Sequence, residues 1–146
     1  MNQAIEDFVR CKRIAVVGYS RNPQKFGPTA YKELKERGYE VFAVHPTEKE
    51  INGEVCYPNL AALSGKADGV LVSVNPQQSA AVVQEAAAAG FHNIWLQAGA
   101  ESPEAIEAGQ KLGLSMATGK CILMYAQPVR SFHAVHRLFA RVFGGL

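Results

Sequence analysis

The sequence predicts an α/β fold in which a doubly wound, mainly parallel five-stranded sheet carries helices on both faces. Short apolar runs rich in β-branched residues alternate along the chain with segments of helical periodicity, an order that is typical of parallel sheets. Glycine or proline follows most of these segments, and right-handed crossovers then place helices on both faces. The 146 residues suffice for one domain but not for two, so we predict one domain over residues 1–146.

Five runs of residues are predicted to be the main strands. The first, RIAVVG, is almost entirely apolar and β-branched, as expected of a strand that is buried on both faces. An Asn52-Gly53 turn signal suggests a further short strand around Val55. The predicted main strands are residues 13–18, 39–44, 68–74, 93–97 and 114–117.

Five further segments are predicted to be helices. The second of them places small and apolar side chains such as Leu34 on one side and charged side chains on the other. Ser102 before Pro103 is typical of an N-cap followed by proline at the first helical position. The predicted helices are residues 2–9, 28–37, 77–89, 103–112 and 129–143, and residues 60–63 suggest one helical turn.

Composition and charge exclude several classes of function. Apolar residues make up 48% and charged residues 19%, which is typical of a globular chain rather than of a disordered one. The net charge is only +2 and no dense basic cluster is present, so a nucleic-acid partner is not expected. No apolar run reaches the roughly 20 residues that span a bilayer, and the N-terminal segment lacks the apolar core of a secretory signal.

The three cysteines, Cys11, Cys56 and Cys121, are widely spaced and form no C-x-x-C pair, which disfavours a structural zinc site or a thioredoxin-type motif. Unpaired cysteines without an export signal predict a cytoplasmic protein. We expect Cys11 and Cys56 to be small buried hydrophobic side chains. Cys121 could be reactive beside Lys120, but a buried, inert cysteine is commoner, and we assign it no chemistry.

The loop after the first predicted strand is the candidate ligand site, because open parallel sheets bind ligands at the carboxyl ends of their strands. Gly18 permits a tight turn, and Gly27 lets the next helix start close to the sheet. Ser20 supplies a hydroxyl, Lys25 a mobile positive charge, and a helix beginning near Pro28 supplies free N–H groups. We therefore predict that this strand–loop–helix unit binds a phosphate-bearing nucleotide ligand, in preference to the alternative that it is an ordinary connection.

Two familiar nucleotide motifs are absent from the sequence. The G-x-G-x-x-G fingerprint of NAD and FAD sites would need a glycine where Ser20 stands, and an acidic residue at the end of the second strand, where His45 and Pro46 follow Val44. The P-loop pattern G-x-x-x-x-G-K-[ST] is also missing, which disfavours an ATPase.

The ends of the third and fourth strands would complete the rim of the site, at residues 74–76 (VNP) and 97–99 (QAG). The amide side chains of Asn75 and Gln97 can donate and accept hydrogen bonds, which suits recognition of a base, a ribose or an amide arm. They could instead satisfy backbone groups at the strand ends. The two interpretations are balanced for Asn75, and ligand contact is favoured for Gln97.

A catalytic constellation is not evident in the sequence. General acid–base catalysis needs a His, Asp or Glu beside the ligand, and among the histidines only His45 falls at a predicted ligand-facing strand end. His133 and His136 share a helical face at a spacing that could hold a metal, but no third ligand is evident, so we predict no metal site. No Ser–His–Asp arrangement can be assembled, so we predict a protein without enzymatic activity of its own.

The last predicted helix, residues 129–143, has a broad apolar face. Such a face usually packs on the sheet; a subunit interface in a homo-oligomer is the second interpretation and binding to a membrane surface the third. Its apolar side chains are Phe132, Val135, Leu138, Phe139, Val142 and Phe143.

Four segments of the chain resemble a known family. RIAVVGYSRNPQKFG, YEVFAVHP, NGEVCYPNL and the SVNP strand end are similar to the small, single-domain CoA-binding proteins, which resemble the CoA-binding domain of succinyl-CoA synthetase α subunits and ADP-forming acyl-CoA synthetases. The resemblance covers residues from about 7 to 124. It implies a Rossmann-like fold, with coenzyme A or an acyl-CoA held along the carboxyl ends of the strands.

The resemblance also implies roles for individual residues. Gly18, Ser20 and Lys25 would hold the phosphates, and the ends of the second and third strands would line the nucleotide. The full set that we expect at the site is Gly18, Tyr19, Ser20, Arg21, Lys25, Phe26, Gly27, His45, Pro46, Val74, Asn75, Pro76, Gln97, Gly99 and Cys121.

Two departures from the family pattern limit what carries over. His45 stands where relatives more usually have Asn, and an apolar segment follows Cys121 where many relatives have a polar tail. The phosphorylated histidine of the larger synthetases belongs to a separate domain that we do not expect here. We therefore predict a CoA or acyl-CoA binder without catalysis; the alternative is an enzyme or enzyme subunit acting on a CoA thioester or another nucleotide ligand.

Overall fold

The computed structural model describes residues 3–128, in which strands and helices alternate. The strands are β1 (Arg13–Val17), β2 (Glu40–Val44), β3 (Glu50–Ile51), β4 (Glu54–Tyr57), β5 (Gly69–Val72), β6 (Asn93–Gln97) and β7 (Ser115–Lys120). The helices are α1 (Gln3–Val9), α2 (Phe26–Glu36), α3 (Pro76–Ala88) and α4 (Pro103–Lys111), with 3₁₀ turns at Ala61–Leu63 and Ile122–Met124. The predicted helix at 129–143, with its two histidines and its apolar face, lies outside the described residues.

The strands form one sheet in the order β3-β4-β2-β1-β5-β6-β7, parallel throughout except for the antiparallel pair β3–β4. The predicted α/β class with a mainly parallel sheet is confirmed. The predicted number of five strands is wrong, because the chain turns at Asn52 and Gly53 and adds the β3–β4 hairpin to the edge of β2. Both turn residues have positive φ, 52° and 83°, as a two-residue hairpin turn requires. Strands of two and four residues are too short to show a clear apolar pattern.

Side chains alternate across the sheet and form two apolar layers. In β6, Trp95 packs in the layer under α1 and α2, whereas Ile94 and Leu96 pack in the layer under α3 and α4. Helices therefore cover both faces, as predicted. Phe8 of α1 meets Trp95 edge-on, at 5.5 Å between the ring centroids. Each fully buried Leu or Ile contributes about 1.5–3 kcal/mol, so these layers stabilise the sheet and hold the strand ends in place.

The winding of the sheet reverses at β1 and places a crevice at its carboxyl end. From β1 the chain crosses through α2 to β2 on one side, and it later enters β5 on the other side. Helices α2 and α3, which follow β1 and β5, pack on opposite faces. The connections after these adjacent strands therefore diverge, which is the arrangement that opens a ligand crevice in doubly wound sheets.

Helix α2 begins earlier than the sequence predicted. The prediction placed its start near Pro28, but the helix begins at Phe26 with Lys25 as its N-cap residue. Proline is tolerated inside the first turn, because the N–H groups there have no partner within the helix. Lys25 and Gly27 consequently belong to the start of the helix itself rather than to the preceding loop.

The described residues also bear on the cysteines and on membrane insertion. No helix within residues 3–128 is both long and apolar enough to cross a bilayer.

Cys11 and Cys56 are buried, as predicted, and Cys121 is partly exposed. Burial, aided by the charge of Asp68, raises the pKa of the Cys11 thiol to about 11, and burial also raises the pKa of Cys56. Both buried thiols are therefore protonated and shielded at neutral pH.

We expect a small disulfide reagent at pH 8 to label Cys121 rapidly in the native protein, and Cys11 and Cys56 only after unfolding. Burial excludes the reagent from the latter two, and a raised pKa keeps each thiol in its unreactive form. The labelling time course of the wild type and of Cys121→Ser measures this, since the variant should lose the fast phase. Fast labelling that persists in Cys121→Ser would contradict the burial of the other two thiols.

Candidate functional site

The carboxyl end of β1 and the first turn of α2 meet through two glycines. A Cβ atom on Gly18 would overlap the carbonyl oxygen of Ser73, and one on Gly27 would overlap the carbonyl oxygen of Gly18. Gly18 also has a φ of +115°, a conformation that L side chains rarely adopt. Glycine at position 27 therefore allows the start of α2 to lie directly against the end of β1, and glycine at position 18 allows the end of β1 to lie against the backbone that follows β5.

The loop between these glycines is a series of short turns. Ser20 Oγ accepts the N–H of Asn22 at 3.2 Å, and Asn22 Oδ1 accepts the N–H of Gln24 at 2.9 Å. The N–H of Lys25 then donates to the carbonyl oxygen of Asn22 at 3.1 Å. Such side-chain-to-backbone bonds are typical of Asn and Ser in turns. The Ser20 hydroxyl, predicted to hold a phosphate, thus also supports the backbone of the loop.

Helices α2 and α3 both begin at the crevice without a side-chain cap. Neither Lys25, before α2, nor Asn75, before α3, makes a side-chain hydrogen bond to its helix. Helix α4 differs, because Ser102 Oγ accepts the N–H of Ala105 at 3.1 Å. An uncapped N-terminus leaves backbone N–H groups and the positive end of the helix dipole available to an anion. In α3 fewer donors remain, because Pro76 has no N–H group and the N–H of Gln78 donates to the carbonyl oxygen of Asn75 at 2.8 Å.

A cleft of about 570 Å³ extends along the carboxyl ends of β2, β1, β5 and β6. This volume is within the range of small-molecule sites, roughly 300–1,000 Å³. Of the residues predicted for the site, eleven line the cleft: Gly18, Tyr19, Ser20, Lys25, Phe26, His45, Pro46, Val74, Asn75, Gln97 and Gly99. The structure therefore brings together residues that are separated by up to 81 positions in the sequence (Gly18 to Gly99).

Four residues predicted for the site, Arg21, Gly27, Pro76 and Cys121, do not line the cleft. Gly27 is taken up by the packing of α2 on β1, and Pro76 is the first residue of α3. Cys121 follows β7, which lies at the sheet edge beyond β6. Arg21 lies outside the cleft lining because its guanidinium pairs with the Glu48 carboxylate.

Arg21 is held by acceptors that follow β2. Its Nε donates to Glu48 Oε1 at 3.1 Å, and its Nη2 donates to the carbonyl oxygen of Glu50 at 3.4 Å. The hydrogen bond from Arg21 lowers the pKa of the Glu48 carboxyl. Both side chains are largely exposed, so this ion pair is weak. It still gives Arg21 a partner outside the cleft.

Lys25 supplies a positive charge to the cleft that a ligand could contact. Its exposed side chain lines the cleft and has no ion pair or hydrogen bond with any residue from 3 to 128. Glu85, an acidic residue of the lining, is occupied, because its Oε2 accepts the N–H of Leu60 at 2.8 Å. With one free ammonium group and two uncapped helix starts, the cleft is complementary to an anion.

The sequence left two roles open for Gln97 and Asn75, namely satisfying backbone groups and contacting a ligand. The structure allows both roles for Gln97 and only ligand contact for Asn75. Gln97 is only 5% exposed, and its Oε1 accepts the N–H of Ile122 at 3.0 Å, so the backbone-satisfying role is present. Its NH₂ group has no partner among the described residues, and the side chain lines the cleft. Asn75 is exposed, and its amide has no partner within residues 3–128. Both amides can therefore serve a ligand.

Sequence reasoning missed a second group of lining residues, namely Val17, Val44, Pro58, Ser73, Gln78, Glu85, Ala98 and Ala100. Most of them adjoin strand ends that were already predicted. Gln78 and Glu85 are different, because they come from α3, seven residues apart and therefore on one side of the helix. Helical spacing from Asn75 was the signal that could have identified Gln78.

Two titratable side chains of the lining accept hydrogen bonds from the backbone. His45 and Glu85 are each engaged with backbone N–H groups, at 3.0 Å and 2.8 Å. The remaining polar side chains include the amides of Asn75, Gln78 and Gln97, which do not titrate. No nucleophile–base pair is formed among the described lining residues.

Comparison with known proteins places these features in a family. The sequence matches the family described as a CoA binding domain over residues 12–127. The chain belongs to this family. The matched span contains every residue that lines the cleft. The resemblance found in the sequence is thereby confirmed, and the fold is the Rossmann-like α/β fold.

Two relatives of similar size match most of this CoA binding domain. An uncharacterized protein, YneT, from Bacillus subtilis (strain 168) is 31% identical over 113 residues, which make up 77% of this chain and 84% of that protein. A conserved hypothetical protein from Pyrococcus furiosus, of known structure, is 38% identical with a TM-score of 0.73, covering 77% of this chain and 97% of that one.

An enzyme is also similar to this CoA binding domain. The ADP-forming acetate–CoA ligase I of Archaeoglobus fulgidus is 26% identical over 141 residues, which make up 90% of this chain but only 20% of the ligase. The chain thus corresponds to about a fifth of that enzyme.

We expect Gly27→Ala to lower the free energy of unfolding by about 1–3 kcal/mol, because the new methyl group would press on the Gly18 carbonyl and displace the start of α2. Denaturant unfolding measures the change. Thr29→Ala is the matched control, since Thr29 is exposed in the same helix turn and should change stability by less than about 0.5 kcal/mol. Equal stabilities of Gly27→Ala and the wild type would show that α2 does not lie this close to β1.

Proposed function

We propose that this chain binds coenzyme A or an acyl-CoA in the cleft at the strand carboxyl ends and has no catalytic activity of its own. The observation that carries the proposal is the pairing of two uncapped helix starts with the free ammonium group of Lys25 in one cleft. Membership of the CoA binding domain family supports the identity of the ligand.

The chemistry of the ligand agrees with the distribution of groups in the cleft. The phosphates of CoA need N–H donors and a positive charge, which the β1–α2 unit supplies. Its adenine, ribose and amide arm need neutral hydrogen-bonding groups, which Asn75, Gln78 and Gln97 supply. The second strand ends without an acidic residue to accept a ribose 2′-hydroxyl, so NAD fits less well.

A second candidate function is that of an enzyme or enzyme subunit acting on a CoA thioester or another nucleotide ligand. The likeness to about a fifth of an ADP-forming acetate–CoA ligase favours it, because the chain could supply CoA to catalytic parts on another polypeptide. Turnover of acetyl-CoA by the purified chain alone would favour an independent enzyme, and turnover only with a co-purified partner would favour a subunit.

We also propose that the protein is cytoplasmic and that its partner is a small molecule rather than nucleic acid. Three free cysteines agree with a reducing cytoplasm. The small net charge agrees with a small-molecule ligand rather than nucleic acid.

We expect CoA or acetyl-CoA to raise the melting temperature of the purified protein, and NAD and ATP to raise it less. A ligand that binds only the native state stabilises it by mass action, by about 2.7 kcal/mol at one hundred times its dissociation constant. Thermal unfolding with each ligand, and with buffer alone, measures this. A shift with NAD or ATP and none with CoA would overturn the proposed ligand.

We expect Lys25→Ala to weaken CoA binding by about 1–3 kcal/mol, because it removes a charged hydrogen-bond donor from the phosphate site. Titration calorimetry measures the dissociation constant. Lys32→Ala is the matched control, since it removes the same charge from an exposed position on the same helix that does not line the cleft. Equal weakening by both variants would mean that only net charge matters and that Lys25 does not contact the phosphates.

A further inference from the structure

His45 is the first residue after β2, and its ring is tied to the backbone that follows. The N–H groups of Thr47 and Glu48 both donate to His45 Nδ1, at 3.2 Å and 3.0 Å. The N–H of His45 itself donates to the carbonyl oxygen of Tyr57 in β4 at 2.9 Å. The side chain thus closes the turn out of β2, as Asn or Asp side chains often do when they bond to the backbone two residues ahead.

The two donors decide where the proton of the imidazole resides. A ring nitrogen that accepts hydrogen bonds from backbone N–H groups carries no proton, and backbone N–H groups cannot become acceptors. In this arrangement Nδ1 of His45 is the acceptor, and Nε2 is the ring nitrogen that carries the N–H donor. The ring then presents one N–H donor, in an orientation fixed by the turn.

This donor has no partner among the residues that the structure describes. His45 Nε2 makes no hydrogen bond to any residue from 3 to 128, although the ring lines the cleft. Strand β2 lies next to β1 and on the opposite side from β5 and β6. The free N–H group is therefore on the flank of the phosphate loop that is farther from Gln97.

We infer that His45 is a ligand-binding residue, which donates one hydrogen bond from Nε2 to an acceptor atom of the ligand while Nδ1 holds the turn after β2. The inference rests on the proposed function, since it assigns a contact within the same cleft. The acceptor chemistry is that of a phosphate oxygen or purine nitrogen in the nucleotide, or of a carbonyl oxygen in the amide arm.

Three variants separate the two ends of the ring. In His45→Asn, Oδ1 takes the place of Nδ1 and can accept the N–H groups of Thr47 and Glu48, but no donor replaces Nε2. His45→Gln places an amide group at the distance of Nε2 and lacks the acceptor at the nearer position. His45→Ala lacks both.

The first experiment compares CoA affinity by calorimetry with the melting temperature of the ligand-free protein. We expect His45→Asn to melt like the wild type and to bind CoA about 3- to 10-fold more weakly, the range for one lost hydrogen bond. His45→Ala should bind CoA at least as weakly and also melt lower, and His45→Gln should melt lower but bind more tightly than His45→Ala. Wild-type affinity in His45→Asn would overturn the inference.

The outcomes also distinguish this inference from the proposed function. Failure of the wild type to bind CoA overturns the proposed function, whereas equal binding by the wild type and His45→Asn overturns only the role of His45. The fragment 3′-phosphoadenosine 5′-diphosphate, which keeps both 5′ phosphates of CoA, then locates the acceptor, since a loss of affinity for this fragment assigns it to the nucleotide and a loss for CoA alone assigns it to the amide arm.

A measurement on the wild type does not depend on any variant being folded. Long-range ¹H–¹⁵N NMR spectra distinguish imidazole nitrogens that carry a proton from those that do not. We expect the His45 ring to carry its proton on Nε2 rather than on Nδ1, and CoA to shift the Nε2 resonance more than the Nδ1 resonance. A proton on Nδ1 would overturn the inference.

Discussion

At the carboxyl end of β1, backbone packs directly on backbone, since Gly18 lies against the carbonyl of Ser73 and Gly27 against the carbonyl of Gly18. A side chain at position 27 would separate α2 from the end of β1, and one at position 18 would separate β1 from the backbone that follows β5. The position of α2 relative to the sheet depends on this contact, and so does the direction in which its first N–H groups face. The reversal of the winding at β1 opens the crevice, but the two glycines bring a helix start to its floor.

The helix starts at this crevice are left less stable than they could be. An N-cap of Ser, Thr, Asp or Asn stabilises a helix by about 0.5–2 kcal/mol, and α4 has such a cap in Ser102. Helix α2 has Lys25 at that position, which cannot accept a hydrogen bond. Departures from good local design are expected at functional sites, where a ligand completes what the chain leaves open. An anion at this position would satisfy the N–H groups and the ammonium group together.

Gln97 and His45, which line the cleft at strand ends, each have one polar end bonded to the backbone. The oxygen of Gln97 accepts the N–H of Ile122, and Nδ1 of His45 accepts two backbone N–H groups. Within residues 3–128, the NH₂ group of Gln97 and Nε2 of His45 have no partner. One end of each side chain is fixed by the fold, so the other end is held in place before a ligand arrives. Such preorganisation reduces the ordering cost of binding. Arg21 behaves differently, because Glu48 and Glu50 occupy its donors outside the cleft.

The sequence by itself determined the α/β class, the main parallel strands and most of the strand-end residues that line the cleft, because the apolar periods of strands and helices and the glycines at their ends are local signals. It indicated the Asn52-Gly53 turn and the short strand around Val55, which is β4, but it did not predict β3, whose two residues are too few to show a period. It also misplaced the start of α2, since a proline inside the first turn resembles a proline at its beginning. Only the tertiary structure decided that Glu48 holds Arg21 and that α3 turns Gln78 and Glu85 toward the cleft. It also decided that Nε2 of His45 has no partner in the described part of the chain. These outcomes depend on the packing and register of distant segments, which local patterns do not encode.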